Sequence, residues 1–97
     1  MTYTLHREAE QDLEIAFLFY KNEASIAVAL RFLDEFERLA ELLDSNPGFG
    51  TPTNKDRRSY PFRTYPYSVI YKPTDAGIRI LVVRHQRQEP RYGRERS

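Results

Sequence analysis

The hydrophobic period changes once along this chain, and the change falls at Asn46-Pro47-Gly48. Before that point apolar residues recur every three or four positions. After it they come in short blocks of strand length. Proline and glycine do not continue a helix comfortably, so the chain divides into a helical first half and a sheet-forming second half. Segregation of this kind leads to an α+β fold, with helices on one face of a small, mostly antiparallel sheet. At 97 residues the whole chain, 1–97, is read as one domain.

Tyr3-Thr4-Leu5 reads as a short first strand. A helix then runs from about Arg7 to Asn22, with Ala9, Leu13, Ala16, Phe17 and Tyr20 on one face. Glu8, Glu10, Asp12 and Glu14 crowd its first turns, where the helix dipole favours acids. Ile15, Leu18 and Phe19 lie on the opposite side. A second apolar stripe is more than one core needs, so it is covered either by the chain's own tail or by a partner. Ser25 is a good N-cap for a second helix, whose buried stripe is Ala29, Phe32, Leu33, Phe36, Leu39, Ala40 and Leu43. The link near Asn22 to Ala24 is short, which makes the two helices an antiparallel hairpin.

Phe49 to Asp56 reads as loop. Strands are expected over Arg57–Tyr65, Tyr67–Lys72 and Ile78–Arg84, for an order of β-α-α-β-β-β. Pro61 marks the first of these as an edge strand or a bulge, and Pro73 to Gly77 is the turn of a hairpin. Strict alternation in the last strand puts Ile80, Val82 and Arg84 on one face and Leu81, Val83 and His85 on the other. The sheet face away from the helices would then form a basic concave surface. The polar, cationic segment Arg91–Ser97 is expected to fray.

The net charge of +1 conceals an asymmetry. Residues 1–45 carry four cations against ten acids, a net −6, and residues 46–97 carry eleven against four, a net +7. That division points to nucleic acid or an acidic partner, or to two solvated faces of opposite sign. There is no cysteine, which excludes disulfides, thiolate metal sites and a cysteine nucleophile. Two histidines far apart in sequence argue against a metal site, and no cofactor is implied. No stretch is long enough to span a bilayer and none resembles a signal peptide, so the expected location is the cytoplasm, with no membrane partner.

Four segments in order resemble the RelE/ParE superfamily of toxins from bacterial type II toxin–antitoxin modules. They are EAEQDLEIAFLFY, RFLDEFERLAELLDSNPGFGTP, RTYPYSVIYK and ILVVRHQRQEP, and together they cover nearly the whole chain. The resemblance implies a growth-arresting toxin held inactive by a cognate antitoxin, a small acidic protein with a DNA-binding segment, within a complex that can be of higher order. RelE-like members cut messenger RNA on the ribosome without metal, whereas ParE-like members poison DNA gyrase. The fold is shared between the two, so it does not decide the target.

Metal-free RNA cleavage needs a proton-transfer group and cations on the scissile phosphate. His85 suits the first task, and Arg63 and Arg87 suit the second. Arg63 resembles an arginine that nuclease members carry before the middle strands. Lys55, Arg57, Arg58 and Arg84 are phosphate- or target-facing if RNA binds, and solvated otherwise. Nuclease members often place a tyrosine after the last strand. Here Gln86 follows His85, and Tyr92 stands further along in the tail. Ile15, Leu18 and Phe19 are the expected apolar anchors for the antitoxin. His6 starts a helix with no visible partner, while Tyr67 and Tyr71 are expected to pack in the core. Three readings follow: an mRNA-cleaving toxin acting at the ribosome, a gyrase poison without nuclease activity, and a degenerate member that only binds antitoxin or nucleic acid.

Overall fold

A computed structural model describes residues 3–97, so only the first two residues of the expected domain lie outside it. Strand β1 is Thr4–Leu5, helix α1 is Arg7–Glu23 and helix α2 is Ile26–Ser45. His6 caps α1, its Nδ1 accepting the Glu8 amide at 3.0 Å, which gives this histidine the partner that the sequence did not reveal. Ser25 caps α2 as expected, its hydroxyl accepting the Val28 amide at 3.1 Å.

Beyond α2 come β2 (Thr51–Pro52), β3 (Arg58–Pro61), β4 (Tyr67–Thr74) and β5 (Gly77–His85). The five strands form one sheet in the order β1-β5-β4-β3-β2, antiparallel except for the β1–β5 pair. Strand β2 lies inside the segment expected to be loop. Its turn back to β3 holds Lys55 at φ 57°, the one non-glycine residue at positive φ among those described. Strand β3 stops at Pro61 rather than reaching Tyr65. Proline offers no amide for the ladder, and the chain turns so that the Phe62 amide donates to the Tyr67 carbonyl at 2.8 Å.

Both helices pack on one face of the sheet. Ala9, Ala16, Phe32, Phe36, Leu39, Ala40 and Leu43 meet Phe62, Val69, Tyr71, Ile78, Ile80 and Val83 in the core. Phe32 lies at its centre, stacked on Phe62 at 5.1 Å and edge-on to Tyr65 and Tyr67 at 5.2 Å each. Aromatic pairs of this geometry add about 0.5–1.5 kcal/mol beyond the area they bury. Tyr71 is fully buried, and its hydroxyl accepts from the Gly50 amide (2.9 Å) and donates to the Pro47 carbonyl (2.7 Å). One core side chain thus fixes the loop that leaves α2.

Strict alternation fails in β5. Ile70 pairs with Val82 and Tyr71 with Ile80, so Leu81 is an extra residue in a β-bulge. The bulge changes the parity of the strand. Ile78, Ile80 and Val83 all face the helices, whereas Val82 faces away and touches the tail at Gly93. His85 follows Val83 on the helix side, opposite Tyr67, and Arg84 opposes Ser68 on the far side. The tail does not fray. Tyr92 and Arg96 are pinned to the body of the fold, and Arg96 is 5% exposed.

Candidate functional site

The end of β5 leads into a tight turn. The His85 amide donates to Gln88 Oε1 at 2.7 Å, and the Gln88 amide donates to the His85 carbonyl at 2.9 Å. His85 Nδ1 accepts the Arg87 amide at 3.0 Å, which leaves the proton of the neutral ring on Nε2. The imidazole packs edge-on against Tyr67, with centroids 5.1 Å apart, so it rests on the rim of the aromatic core. Arg87 is exposed beside it. Arg84 points to the other face of the sheet, where Nη2 lies 3.4 Å from the Gln88 carbonyl.

Arg63 belongs to a different neighbourhood. Its amide and that of Thr64 both donate to Glu35 Oε2, at 2.6 and 3.0 Å. The Tyr65 hydroxyl donates to the Val28 carbonyl at 3.0 Å, so residues 62–66 are clamped to α2. The Arg63 side chain lines a groove of about 1020 Å³ along α2, together with Arg31, Asp34, Arg38 and Leu42. Partial burial pushes the Glu35 carboxyl up. The Thr64 and Arg63 hydrogen bonds and the Arg63 charge outweigh that and hold it below the usual carboxylate value.

The basic residues before β4 are mostly committed to the fold. Arg57 is buried and donates to the carbonyls of Arg94 (2.6 Å) and Arg96, which corrects the expectation that it is solvated when no RNA is bound. Arg58 Nη1 donates to the carbonyls of Gly50 (2.7 Å) and Gly48 (3.3 Å) and so braces the loop after α2. Lys55 alone of the three is exposed, at the tip of the β2–β3 turn.

Asp12 anchors the tail. Its Oδ2 accepts from the Val83 amide (3.0 Å) and Arg96 Nη1 (2.7 Å), and its Oδ1 accepts from the Tyr92 hydroxyl (2.6 Å). Arg96 Nη1 also donates to the Leu81 carbonyl at 3.0 Å, and its guanidinium lies 4.8 Å from the Tyr92 ring centroid. Burial alone would lower the Arg96 pKa. The hydrogen bonds and charge of Asp12 and Tyr92 reverse that, and the side chain stays cationic. Sequence reasoning counted Asp12 among the dipole-favoured acids. Its position three residues after Ala9 and four before Ala16, on the buried stripe, was the signal that it turns inward.

The second apolar stripe of α1 is uncovered. Ile15, Leu18 and Phe19 are 67%, 44% and 55% exposed, and Ile26 and Leu30 at the start of α2 are exposed as well, at 51% and 54%. The tail lies against Val82 on the far side of the sheet and reaches α1 at Asp12 and Glu8, not at this stripe.

The comparisons agree with this architecture. A family model described as "ParE toxin of type II toxin-antitoxin system, parDE" matches residues 3–90. The chain therefore belongs to the ParE toxin family of type II toxin–antitoxin systems. It is 29% identical over 86 residues to Toxin ParE2 of Mycobacterium tuberculosis, an alignment covering 89% of this chain and 82% of the relative. In fold it resembles a chain from "Chromosomal ParDE TA system from P. aeruginosa", with a TM-score of 0.76 at 22% identity, over 88% of this chain and 95% of that one.

Proposed function

We propose that this chain arrests bacterial growth by binding and poisoning DNA gyrase, without cutting RNA. The observation that carries this reading is the dispersal of the nuclease candidates. Arg63 lines the groove along α2, which neither His85 nor Arg87 lines, and those two sit together at the turn after β5. Phosphorane stabilisation requires donors converging on one reacting centre. Family membership supports the toxin role itself, and with it a cognate antitoxin. That antitoxin is proposed to lay an amphipathic segment over Ile15, Leu18 and Phe19, whose exposure on one helix face suits such anchors. Its acidic groups would complement the basic half of the chain.

A second reading keeps some support. The Nε2–H of His85 stands beside the exposed Arg87, a pairing that suits ribosome-dependent cleavage of messenger RNA. Scoring transcript ends and DNA breaks in the same cells separates the two. Gyrase poisoning gives DNA breaks with gyrase attached, intact transcripts and undiminished toxicity in His85→Ala. Fragmented transcripts with intact DNA, and cleavage reduced roughly 10²–10⁴-fold in His85→Ala, would overturn the gyrase reading.

A further inference from the structure

The sheet face that the tail covers is not filled. A cavity of about 420 Å³ lies between the tail, the β2–β3 turn and the sheet. Arg57, Arg84, Arg91 and Arg94 line it together with the hydroxyl-bearing Thr53 and Ser59, and no carboxylate does. Ile70 and Val82 supply an apolar floor.

Two of these arginines are incompletely compensated. Arg57 is 8% exposed, its terminal nitrogens meet only neutral backbone carbonyls, and its Nε has no partner. Arg84 Nε is likewise buried without a partner, and its one hydrogen bond, to the Gln88 carbonyl, is long at 3.4 Å. Neither arginine forms an ion pair among the described residues. Arg91 is tied at 3.3 Å to the exposed Glu89, and Arg94 forms no ion pair among the described residues. A buried guanidinium without a counter-charge is costly, and an anion in the adjoining space offsets that cost.

We propose that this cavity binds a phosphate group, carried by free phosphate or by a molecule of mononucleotide size. Guanidinium forks match phosphate oxygens, and a phosphate accepts from several of them at once, which a single carboxylate does less well. The volume falls within the range of small-ligand sites, and the apolar floor gives the rest of such a molecule a surface to lie on. The walls come from the sheet, a turn and the tail, so an occupant would cross-link the tail to the sheet. The proposal is independent of whether gyrase or the ribosome is the toxin's target.

The test is a titration of the full chain, followed through its arginine Nε–H and backbone amide resonances. Inorganic phosphate, a nucleoside monophosphate and chloride are compared at matched ionic strength. Saturable shifts centred on Arg57 and Arg84 are expected with both phosphates and not with chloride. Tighter binding of the nucleotide identifies a nucleotide-sized ligand, and equal binding identifies the phosphate group alone. Arg84→Gln should weaken binding about tenfold or more, the weight of one charge-assisted contact, with the melting temperature checked in parallel. Arg84→Lys should recover only part of it. Arg84 is chosen because removing Arg57 would also release the tail. Shifts that fail to saturate, that chloride reproduces, or that Arg84→Gln leaves unchanged in a folded protein would overturn the proposal.

Discussion

Replacing Arg96 with methionine should detach the tail and cost much of this small domain's stability. The Arg96 and Asp12 side chains are 4% and 5% exposed, so their 2.7 Å contact is a buried ion pair. Removing one partner of such a pair costs about 3–5 kcal/mol, because the other charge is left buried. Asp12 still accepts from the Val83 amide, which does not belong to the tail, and this places the loss near the lower end, at about 3–4 kcal/mol. For a domain of this size each kcal/mol moves the melting temperature by about 4–8 °C, so the midpoint should fall by roughly 12–30 °C. Thermal unfolding followed by circular dichroism measures this, and limited proteolysis within Arg91–Ser97 reports tail release at temperatures below the midpoint. Combining Arg96→Met with Asp12→Asn should cost less than the two single changes added together, since both remove the same pair. A midpoint lowered by less than about 4 °C, worth under about 1 kcal/mol, would refute the view that the tail is held by this pair.

Gly50→Ala should destabilise the fold by about 1–3 kcal/mol, since the added Cβ would lie 2.6 Å from the Tyr71 hydroxyl and 2.9 Å from Arg58 Cβ. Urea denaturation measures that loss, and a neutral result would mean that the Tyr71-anchored loop yields easily. The Glu35 carboxyl titrates below its ordinary value of 4.5, so in acid the unfolded chain takes up its proton first. Its contribution is therefore complete above about pH 4.5 and is lost as pH falls through the lower folded value, so Glu35→Gln should flatten the acid limb of stability against pH. An unchanged limb in Glu35→Gln would show that the 62–66 loop does not depend on that charge. Phe19→Asp should leave the circular dichroism spectrum and melting temperature nearly unchanged while weakening the antitoxin complex in a calorimetric titration by about tenfold or more. Unfolding of Phe19→Asp would mean that the outer face of α1 supports the core after all.

The elements themselves were legible because they rest on local chemistry. The Ser25 cap and the stop at Asn46-Pro47-Gly48 each depend on a few adjacent residues and lie where the pattern placed them. The hairpin turn falls inside its expected segment but is tighter, with Pro73, Thr74 and Gly77 paired in the strands and only Asp75 and Ala76 between them. The α2 stripe was readable for the same reason: a period of 3.6 residues selects its own buried face, and the observed core follows it from Ala29 to Leu43. The exposed Ile15, Leu18 and Phe19 were visible as a surplus, since one helix cannot bury two opposite stripes against one sheet. The parallel β1–β5 pairing had no local signal, because two residues pair with a strand more than seventy positions away.

Chain sequence determined which segments are helix and strand, where they stop and which half carries each charge. Only tertiary structure decided what each charged side chain does. The Leu81 bulge put His85, rather than Arg84, on the same face as Ile80, the reverse of what simple alternation assigns, because one extra residue reverses parity only once a partner strand is in place. Cations that look equivalent along the chain then diverged. Arg57 and Arg96 became internal ties, Arg58 became a brace for a loop, and Lys55 and Arg87 stayed in solvent. Whether a guanidinium ties the fold together or meets a partner depends on which acceptors lie within hydrogen-bond reach, and those acceptors come from residues such as Asp12 and the Arg94 carbonyl that are brought near only by folding.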